Sequence, residues 1–359
     1  MRYIITGGAG FIGSALVRKL ISDQQHVLVI DKLSYAGNLS NLEGVIGSDL
    51  LVFSHTDLCE EKKISSLIKD YAPDYVLHLA AESHVDKSIS DPTPFLMSNV
   101  FGTVSLLNSC LSYYKGLLAK NKNQFRFLHV STDEVFGSAD EAGLFTEESS
   151  YQPSSPYSAS KASSDHFVRA WHSTYGLPVI ITNSTNNYGP RQFPEKLIPF
   201  MIQLALEDSP LLLYGDGQNI RNWLHVDDHI DALLQCAGRG GIGETYNIAG
   251  QTELSNFALV EMLCELFNQS ERFSHKPDWE NSIKFTKDRP GHDFRYALNC
   301  NKIKKELGWE PQIPFARGLK TTLDWYLANP KWIDYSKEGR QQQRNAFYLD
   351  RLKERGALV

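Results

Sequence analysis

Thr6-Gly7-Gly8-Ala9-Gly10-Phe11-Ile12-Gly13 lies between a short apolar run, Tyr3-Ile4-Ile5, and a stretch carrying Ile12, Leu16 and Leu20 on one helical face. Glycines at 7, 10 and 13 let the backbone turn tightly, approach a pyrophosphate and pack helix on strand. The helix N-terminus then faces the phosphate charge. A glycine triplet alone is weak evidence, because turns are rich in glycine. Here a strand pattern precedes it, a helix pattern follows, and the second strand closes on an acid, Val29-Ile30-Asp31. Asp31 can accept hydrogen bonds from an adenosine ribose and would repel the extra phosphate of NADP, although Lys32 beside it could tolerate that phosphate. NAD is the expected cofactor.

Outward from that loop, β-rich runs at 3–6, 26–30, 51–53, 75–79, 125–131 and 179–183 alternate with helical patterns such as Ile64, Leu67, Ile68 and Tyr71. Alternation of this kind predicts an α/β fold, a Rossmann-type doubly wound parallel sheet covered on both faces. From about Asn187 the rhythm breaks into Pro- and Gly-punctuated segments, which predict a smaller, irregular α/β substrate-binding lobe over the sheet's carboxyl edge. The expected division is an NAD-binding domain at 1–186 with 223–249 returning to it, a substrate lobe at 187–222 and 250–330, and a polar tail at 331–359. The tail carries Gln341-Gln342-Gln343, with Glu338, Asp350 and Glu354 interspersed among Lys and Arg. It reads as a solvated helix rather than a nucleic-acid arm.

Of 359 residues, 42% are apolar, enough for a substantial core, and the net charge is −6. That balance gives no global attraction to nucleic acid or an acidic membrane surface, so an anionic substrate needs a local cluster of Arg and Lys. Cys59, Cys110, Cys236, Cys264 and Cys300 are scattered and odd in number, with no CxxC pair, as in a reducing compartment. The immediate strand leaves no room for a signal peptide, and no apolar run reaches the roughly 18 residues of a membrane span. A cytoplasmic protein without membrane partners is expected.

Two segments carry chemistry. In Tyr157-Ser158-Ala159-Ser160-Lys161 the phenol and the ammonium share one helical face, with Pro156 suited to the helix start. A fixed cation favours the phenolate, which makes Tyr157 a candidate base toward a hydroxyl. Ser131-Thr132-Asp133-Glu134-Val135-Phe136-Gly137 follows an apolar strand and so leaves the sheet at its carboxyl edge. Eliminating water needs a base at one carbon and an acid at the next. Two carboxyls in a dry pocket push one pKa upward, leaving one protonated. A Thr/Asp helix cap is the competing meaning of this string. His225-Val226-Asp227-Asp228-His229 has metal-ligand spacing but no third ligand cluster, so capping and packing are expected there and no metal.

The Gly-x-x-Gly-x-x-Gly spacing, Thr56-Asp57-Leu58, Leu79-Ala80-Ala81-Glu82-Ser83 and the Tyr157/Lys161 pair resemble the extended short-chain dehydrogenase/reductase family. Within it, the Asp133-Glu134 pair, the run from Asn186-Asn187-Tyr188-Gly189-Pro190-Arg191 to Leu197, and Asp288-Arg289-Pro290-Gly291-His292 are similar to the nucleotide-sugar dehydratases. The similarity runs from Arg2 to about Pro330, with Phe136 in place of a common Tyr. It implies cofactor contacts from Gly7, Gly10, Phe11, Ile12, Gly13, Asp31, Lys32, Ser34, Asp57, Leu58, Leu79, Ala80, Ala81, Ser83, Ser98, Tyr157, Lys161 and Asn187. It implies substrate contacts from Ser83, Thr132, Asn186, Lys196, Leu197, Leu212, Tyr214, Arg221, Asn256, Asp288, Arg289, His292 and Tyr296, with His84 as pocket wall. Arg221 and Arg289 suit a diphosphate, since a guanidinium fork holds two oxygens.

The activity so implied is conversion of dTDP-glucose to dTDP-4-keto-6-deoxyglucose and water. Tyr157, with Lys161 and Thr132, serves the oxidation at carbon 4; Glu134 takes the proton from carbon 5, and Asp133 protonates the departing hydroxyl. Thymidine against uridine stays open, because one methyl group is read by pocket shape. A sibling epimerase or decarboxylase would share the glycine loop and Tyr157/Lys161 without using the two acids. A non-catalytic dinucleotide-binding scaffold would have lost Tyr157, Lys161 or the acids. Helices near 95–111 and 157–175, apolar or small on more than one face, predict a homodimer, as in the resembling family.

Overall fold

The computed structural model describes residues 1–140, 143–276, 278–336 and 340–359. Seven strands form the main sheet: β1 (Arg2–Thr6), β2 (His26–Asp31), β3 (Leu51–His55), β4 (Tyr75–His78), β5 (Arg126–Thr132), β6 (Val179–Ser184) and, later in the chain, β10 (Thr245–Ile248). Their order is β3-β2-β1-β4-β5-β6-β10, and every pairing is parallel. Alternate side chains enter opposite cores. Ile4, Leu28, Val76 and Phe127 face one way, Ile5, Val29, Leu77 and Leu128 the other, and none is more than 1% exposed. Burial on both faces explains why these strands read as continuous apolar runs.

The chain starts at β1, winds outward to β3, then crosses back to β4 on the other side. The strand order reverses between β1 and β4, and a crevice opens there beyond the carboxyl ends.

The lobe holds β7 (Asn186–Tyr188), β8 (Leu211–Tyr214), β9 (Ile220–His225), β11 (Thr252–Ser255) and β12 (Ile283–Thr286). These form a three-stranded sheet, β11-β9-β7, and a two-stranded one, β12-β8. Met201, Ile202, Leu263, Phe267, Trp279 and Tyr326 build the lobe's separate core. The return to the main sheet begins at Val226, not at 223. Trp223 pairs with both Asn186 and Thr252, so the strand must finish in the lobe before helix Val226–Arg239 leaves it.

Two expectations change. The polar tail is not simply solvated: helix Arg340–Glu354 buries Tyr348 and Leu352 in the same core as Leu39, Leu42 and Phe53. The chain end then bonds across the edge of β3, with Phe53 N donating to Ala357 O at 2.7 Å and Val359 N donating to Phe53 O at 2.9 Å. Few apolar residues sufficed, because they share one face; Glu338 lies outside the described residues. Helix Thr93–Gly116 is 24 residues long and contains an 18-residue window of mean hydropathy 1.2, long and apolar enough for a membrane span by length and composition. Its Thr, Ser and Asn interrupt the apolar run, so a search for continuity passes over it. The window is 56% buried within the protein, in contact with helix Pro156–Tyr175.

Candidate active site

A cleft of about 300 Å³ opens at the carboxyl ends of β1, β4 and β5. Gly7, Gly10, Phe11, Ile12 and Gly13 line it after β1, with Asp31, Lys32 and Ser34 after β2 and Asp57 and Leu58 after β3. Leu79, Ala80, Ala81 and Ser83 follow β4, joined by Ser98, Tyr157, Lys161 and Asn187. Gly7 has φ 70°, and a Cβ there would stand 2.8 Å from the Ala80 backbone. Only glycine lets the loop lie against the exit of β4. Helix Phe11–Ser22 starts at Gly10 with no side-chain cap and no acid in its first turn. Its free N–H groups and dipole therefore suit a diphosphate. The Asp31 carboxylate accepts from Ala9 N at 2.9 Å and Leu33 N at 2.8 Å, which fixes it at the cleft wall with lone pairs to spare. These features fit a dinucleotide without a 2′-phosphate.

The chemistry-bearing side chains converge on the same cleft. Thr132 ends β5 and accepts from Glu134 N at 3.3 Å, capping the single 3-10 turn Asp133–Phe136. Cap and site are thus one device, not alternatives, for the cap fixes where the two carboxyls start. Phe136 stacks on Phe145 with centroids 5.3 Å apart. Ser155 builds a capping box that starts helix Pro156–Tyr175 and sets Tyr157 and Lys161 one turn apart in the cleft wall.

Electrostatics separates the groups. Asp133, 2% exposed, is pushed up to about 8 by burial first and by Glu134 second. Its Oδ2 is buried without a partner among the described residues, and its Oδ1 accepts from Thr132 at 3.2 Å. Glu134 is also raised by burial, but Arg289, Lys196 and Arg221 pull it back. Tyr157 differs from expectation. Burial and the Glu134 and Asp133 charges raise the phenol well above its ordinary value, and a hydrogen bond with Thr132 opposes them. Lys161 does not relieve it; its ammonium donates to Val130 O at 2.8 Å, and burial lowers it to about 8.

One turn beyond Lys161, Asp165 is fully buried and accepts from Ser131 Oγ and Tyr151 OH, both at 2.8 Å. Burial alone would raise its carboxyl, yet the neighbouring His129 at 3.1 Å and Lys161 hold it below the ordinary range. Spacing of i, i+4 from Lys161 was the available signal for this residue.

Of the residues assigned to substrate, Ser83, Thr132, Asn186 and Lys196 line the cleft, with Lys196 Nζ donating to Ser83 O at 2.7 Å. Leu197, Leu212, Tyr214, Arg221, Asn256, Asp288, Arg289, His292 and Tyr296 do not belong to its wall. Leu197 opens helix Leu197–Leu206, Asn256 opens helix Asn256–Asn268, and Leu212 and Tyr214 are exposed on β8. Tyr214 OH donates to Asp86 Oδ2 at 3.3 Å, and Arg289 Nη1 lies 3.8 Å from Asp86 Oδ1, with Arg289 Nε buried and without a partner among the described residues. His292 Nδ1 is 2.7 Å from Asp288 Oδ1. Arg221 spends donors on the carbonyls of Ile220, Asp293 and Phe294 and lies 4.3 Å over the Tyr296 ring.

His84 stands behind this wall, its Nε2 3.7 Å from Glu195 Oε2. His225 caps helix Val226–Arg239, and His229 Nδ1 bonds Asn187 Oδ1 at 2.8 Å. No cluster of three metal-ligating side chains occurs among the described residues.

Sequence reasoning gave no role to Asn41, Arg191, Glu195 or Trp332, all of which line the cleft. Arg191 has φ 71°, uncommon outside glycine, and lies 5.0 Å over the Trp325 ring. Trp332 Nε1 donates to Asn41 Oδ1 at 2.9 Å across 291 positions, which no local pattern announces.

A family profile described as GDP-mannose 4,6 dehydratase matches residues 4–322. The dTDP-glucose 4,6-dehydratase of Salmonella typhimurium LT2 is 50% identical over 352 residues, 95% of this chain and 97% of that protein. A probable dTDP-glucose 4,6-dehydratase of Sinorhizobium fredii is 52% identical over 333 residues, 92% and 94% of the two chains. Among solved structures, the dTDP-glucose 4,6-dehydratase of Streptomyces venezuelae, crystallised with NAD bound, superposes with TM-score 0.86 at 43% identity, covering 94% of this chain and all of that one. A UDP-glucose 4-epimerase of Thermotoga maritima superposes with TM-score 0.81 at 28% identity, covering 92% and 100%.

Proposed function

The chain belongs to the nucleotide-sugar 4,6-dehydratase family, and from that premise we propose that it converts dTDP-glucose to dTDP-4-keto-6-deoxyglucose and water with NAD. The reading rests on one observation: two adjacent carboxyls, Asp133 buried and raised to about 8, follow β5 in the cleft that also holds Tyr157. An epimerase has no use for that pair.

Bound NAD supplies the hydride acceptor for carbon 4, the later donor for carbon 6, and a positive ring charge. Tyr157, beside Thr132, takes the proton from the carbon-4 hydroxyl as a phenolate, the form that the bound cofactor's positive ring charge would favour against the burial that raises the phenol. Glu134, whose charge Arg289, Lys196 and Arg221 favour, removes the proton from carbon 5, which the new ketone has acidified. Asp133 remains protonated at neutral pH and donates to the departing carbon-6 hydroxyl. Asp31 and the glycine loop orient the cofactor; Lys196 and Arg289 supply the local positive field toward the sugar diphosphate. We assign residues 1–186 and 226–249 to cofactor binding, and 187–225 with 250–330 to the substrate.

The test is direct: full-length protein supplied with dTDP-glucose, UDP-glucose or GDP-mannose, and the product examined for a 4-keto sugar. Ketone from dTDP-glucose at the highest kcat/KM is expected. A carbon-4 epimer, or no ketone, contradicts the reading.

The same proposal includes a cytoplasmic homodimer. All five cysteines are free thiols. Leu96, Met97 and Phe101 on helix Thr93–Gly116, and Phe167 on helix Pro156–Tyr175, are 55%, 47%, 50% and 39% exposed, an apolar face on two helices in mutual contact. Light scattering at micromolar concentration should give twice the 40.5 kDa chain mass. A monomer at that concentration refutes the assembly.

A further inference from the structure

Lys32 carries the wrong charge for a cleft that excludes NADP. It follows Asp31 and lines the same wall. A free ammonium there would attract the 2′-phosphate that Asp31 repels, and a lysine stem is long and flexible enough to swing toward it.

The structure removes that conflict by occupying the ammonium. Lys32 Nζ donates to Ser98 Oγ, lies 3.5 Å from Glu82 Oε1 and is 3.7 Å from Asp57 Oδ2. Asp57 and Ser98 line the cleft; Glu82, 8% exposed, does not. Its carboxylate bears on a bound dinucleotide through Lys32.

Glu82 is itself held in place. Its backbone N donates to Asn99 Oδ1 at 2.8 Å, and Asn99 Nδ2 donates back to Glu82 O at 3.0 Å and to Ser160 Oγ at 2.8 Å. Asn99 and Ser98 are neighbours in the π-turn Leu96–Phe101. The acceptor and the acid that hold Lys32 thus stand on one braced unit, tied to the helix of Tyr157 and Lys161.

We infer that Glu82 is a specificity-determining positioning residue: it holds the Lys32 ammonium so that the Asp31 carboxylate can exclude dinucleotides bearing a 2′-phosphate. The inference rests on the NAD reading above. Glutamine at 82 keeps the shape and the backbone bonds but loses the charge, so Lys32 becomes available to the phosphate.

The experiment is a double-mutant cycle on cofactor occupancy. Full-length wild type, Glu82→Gln, Lys32→Met and the double variant are equilibrated with a mixture of NAD and NADP, separated from free nucleotide, and the bound ratio is measured. Glu82→Gln should raise the NADP share by about tenfold, the scale of one charge-assisted hydrogen bond. Lys32→Met alone should change it by less than about threefold, because the ammonium is already committed. The double variant should fall back to the Lys32→Met value, a non-additivity that mere loosening of the fold does not produce. An unchanged ratio in Glu82→Gln, or a gain that survives in the double variant, overturns the inference alone. A wild type that binds both cofactors equally overturns the NAD reading and the inference with it.

Discussion

Asp133→Asn should cut turnover by about a hundred- to ten-thousandfold, the range for loss of a positioned general acid, while leaving the oxidation at carbon 4 in place. Reduced cofactor should then build up on the protein after mixing with substrate, seen as nicotinamide absorbance that persists. The pH profile gives an independent check. The carboxyl is held at about 8 by burial and by Glu134, so the wild-type rate should decline as pH rises through 8.

In Asp133→Asn, stability should move the other way from activity. Between the ordinary carboxyl value of 3.8 and about 8, the folded protein keeps Asp133 protonated while the unfolded chain ionises. Stability from this group therefore falls as pH rises across that window and levels off above it. Asparagine carries no such cost, so the variant's Tm at pH 8 should equal or exceed the wild type's. Glu134→Gln should slow exchange of the carbon-5 hydrogen with solvent. Normal turnover in both variants would reduce the Thr132-capped turn to a structural cap.

Tyr157→Phe should cost a comparable factor, at least about a hundredfold, with the opposite signature: no reduced cofactor accumulates, because the first oxidation fails. The hydroxyl removed is the one hydrogen-bonded with Thr132 and raised by burial and the Glu134 charge. Stopped-flow absorbance on both variants distinguishes the assignments. Accumulation in Tyr157→Phe, or its absence in Asp133→Asn, would exchange or cancel the two roles.

How much of this was legible depended on how local the cause is. The glycine loop could be read because the positive φ of Gly7 and the uncapped start at Gly10 are demands met within a few residues. The parallel sheet followed from the alternation of strand and helix patterns, and the acid pair from its place just after one of the strands. The pKa split was foreseen, but not that burial outweighs the neighbouring charge at Asp133. Lys161 was expected to lower Tyr157, and the direction failed because burial, with the Glu134 and Asp133 charges after it, raises the phenol. The tail misled because its polar composition conceals one apolar face that carries Tyr348 and Leu352 into the core. The grip on Lys32 comes from residues 50 and 66 positions away, and the link from Trp332 to Asn41 spans 291. Contacts of that range exist only once the fold has formed.

The central claim is that one bound cofactor collects a hydride from carbon 4 and returns the same hydride to carbon 6 of the same sugar. dTDP-glucose carrying deuterium on carbon 4 should yield 4-keto-6-deoxy product with that deuterium on carbon 6. Carbon 5 should take its hydrogen from solvent, because Glu134 exchanges its proton with water. A mixture of labelled and unlabelled sugars, each also marked elsewhere, should give no crossed products. Deuterium restored to carbon 4, as in an epimerase, or lost to free reduced cofactor, as in a simple dehydrogenase, would contradict the account and leave Gly7–Gly13 as a dinucleotide loop serving another reaction.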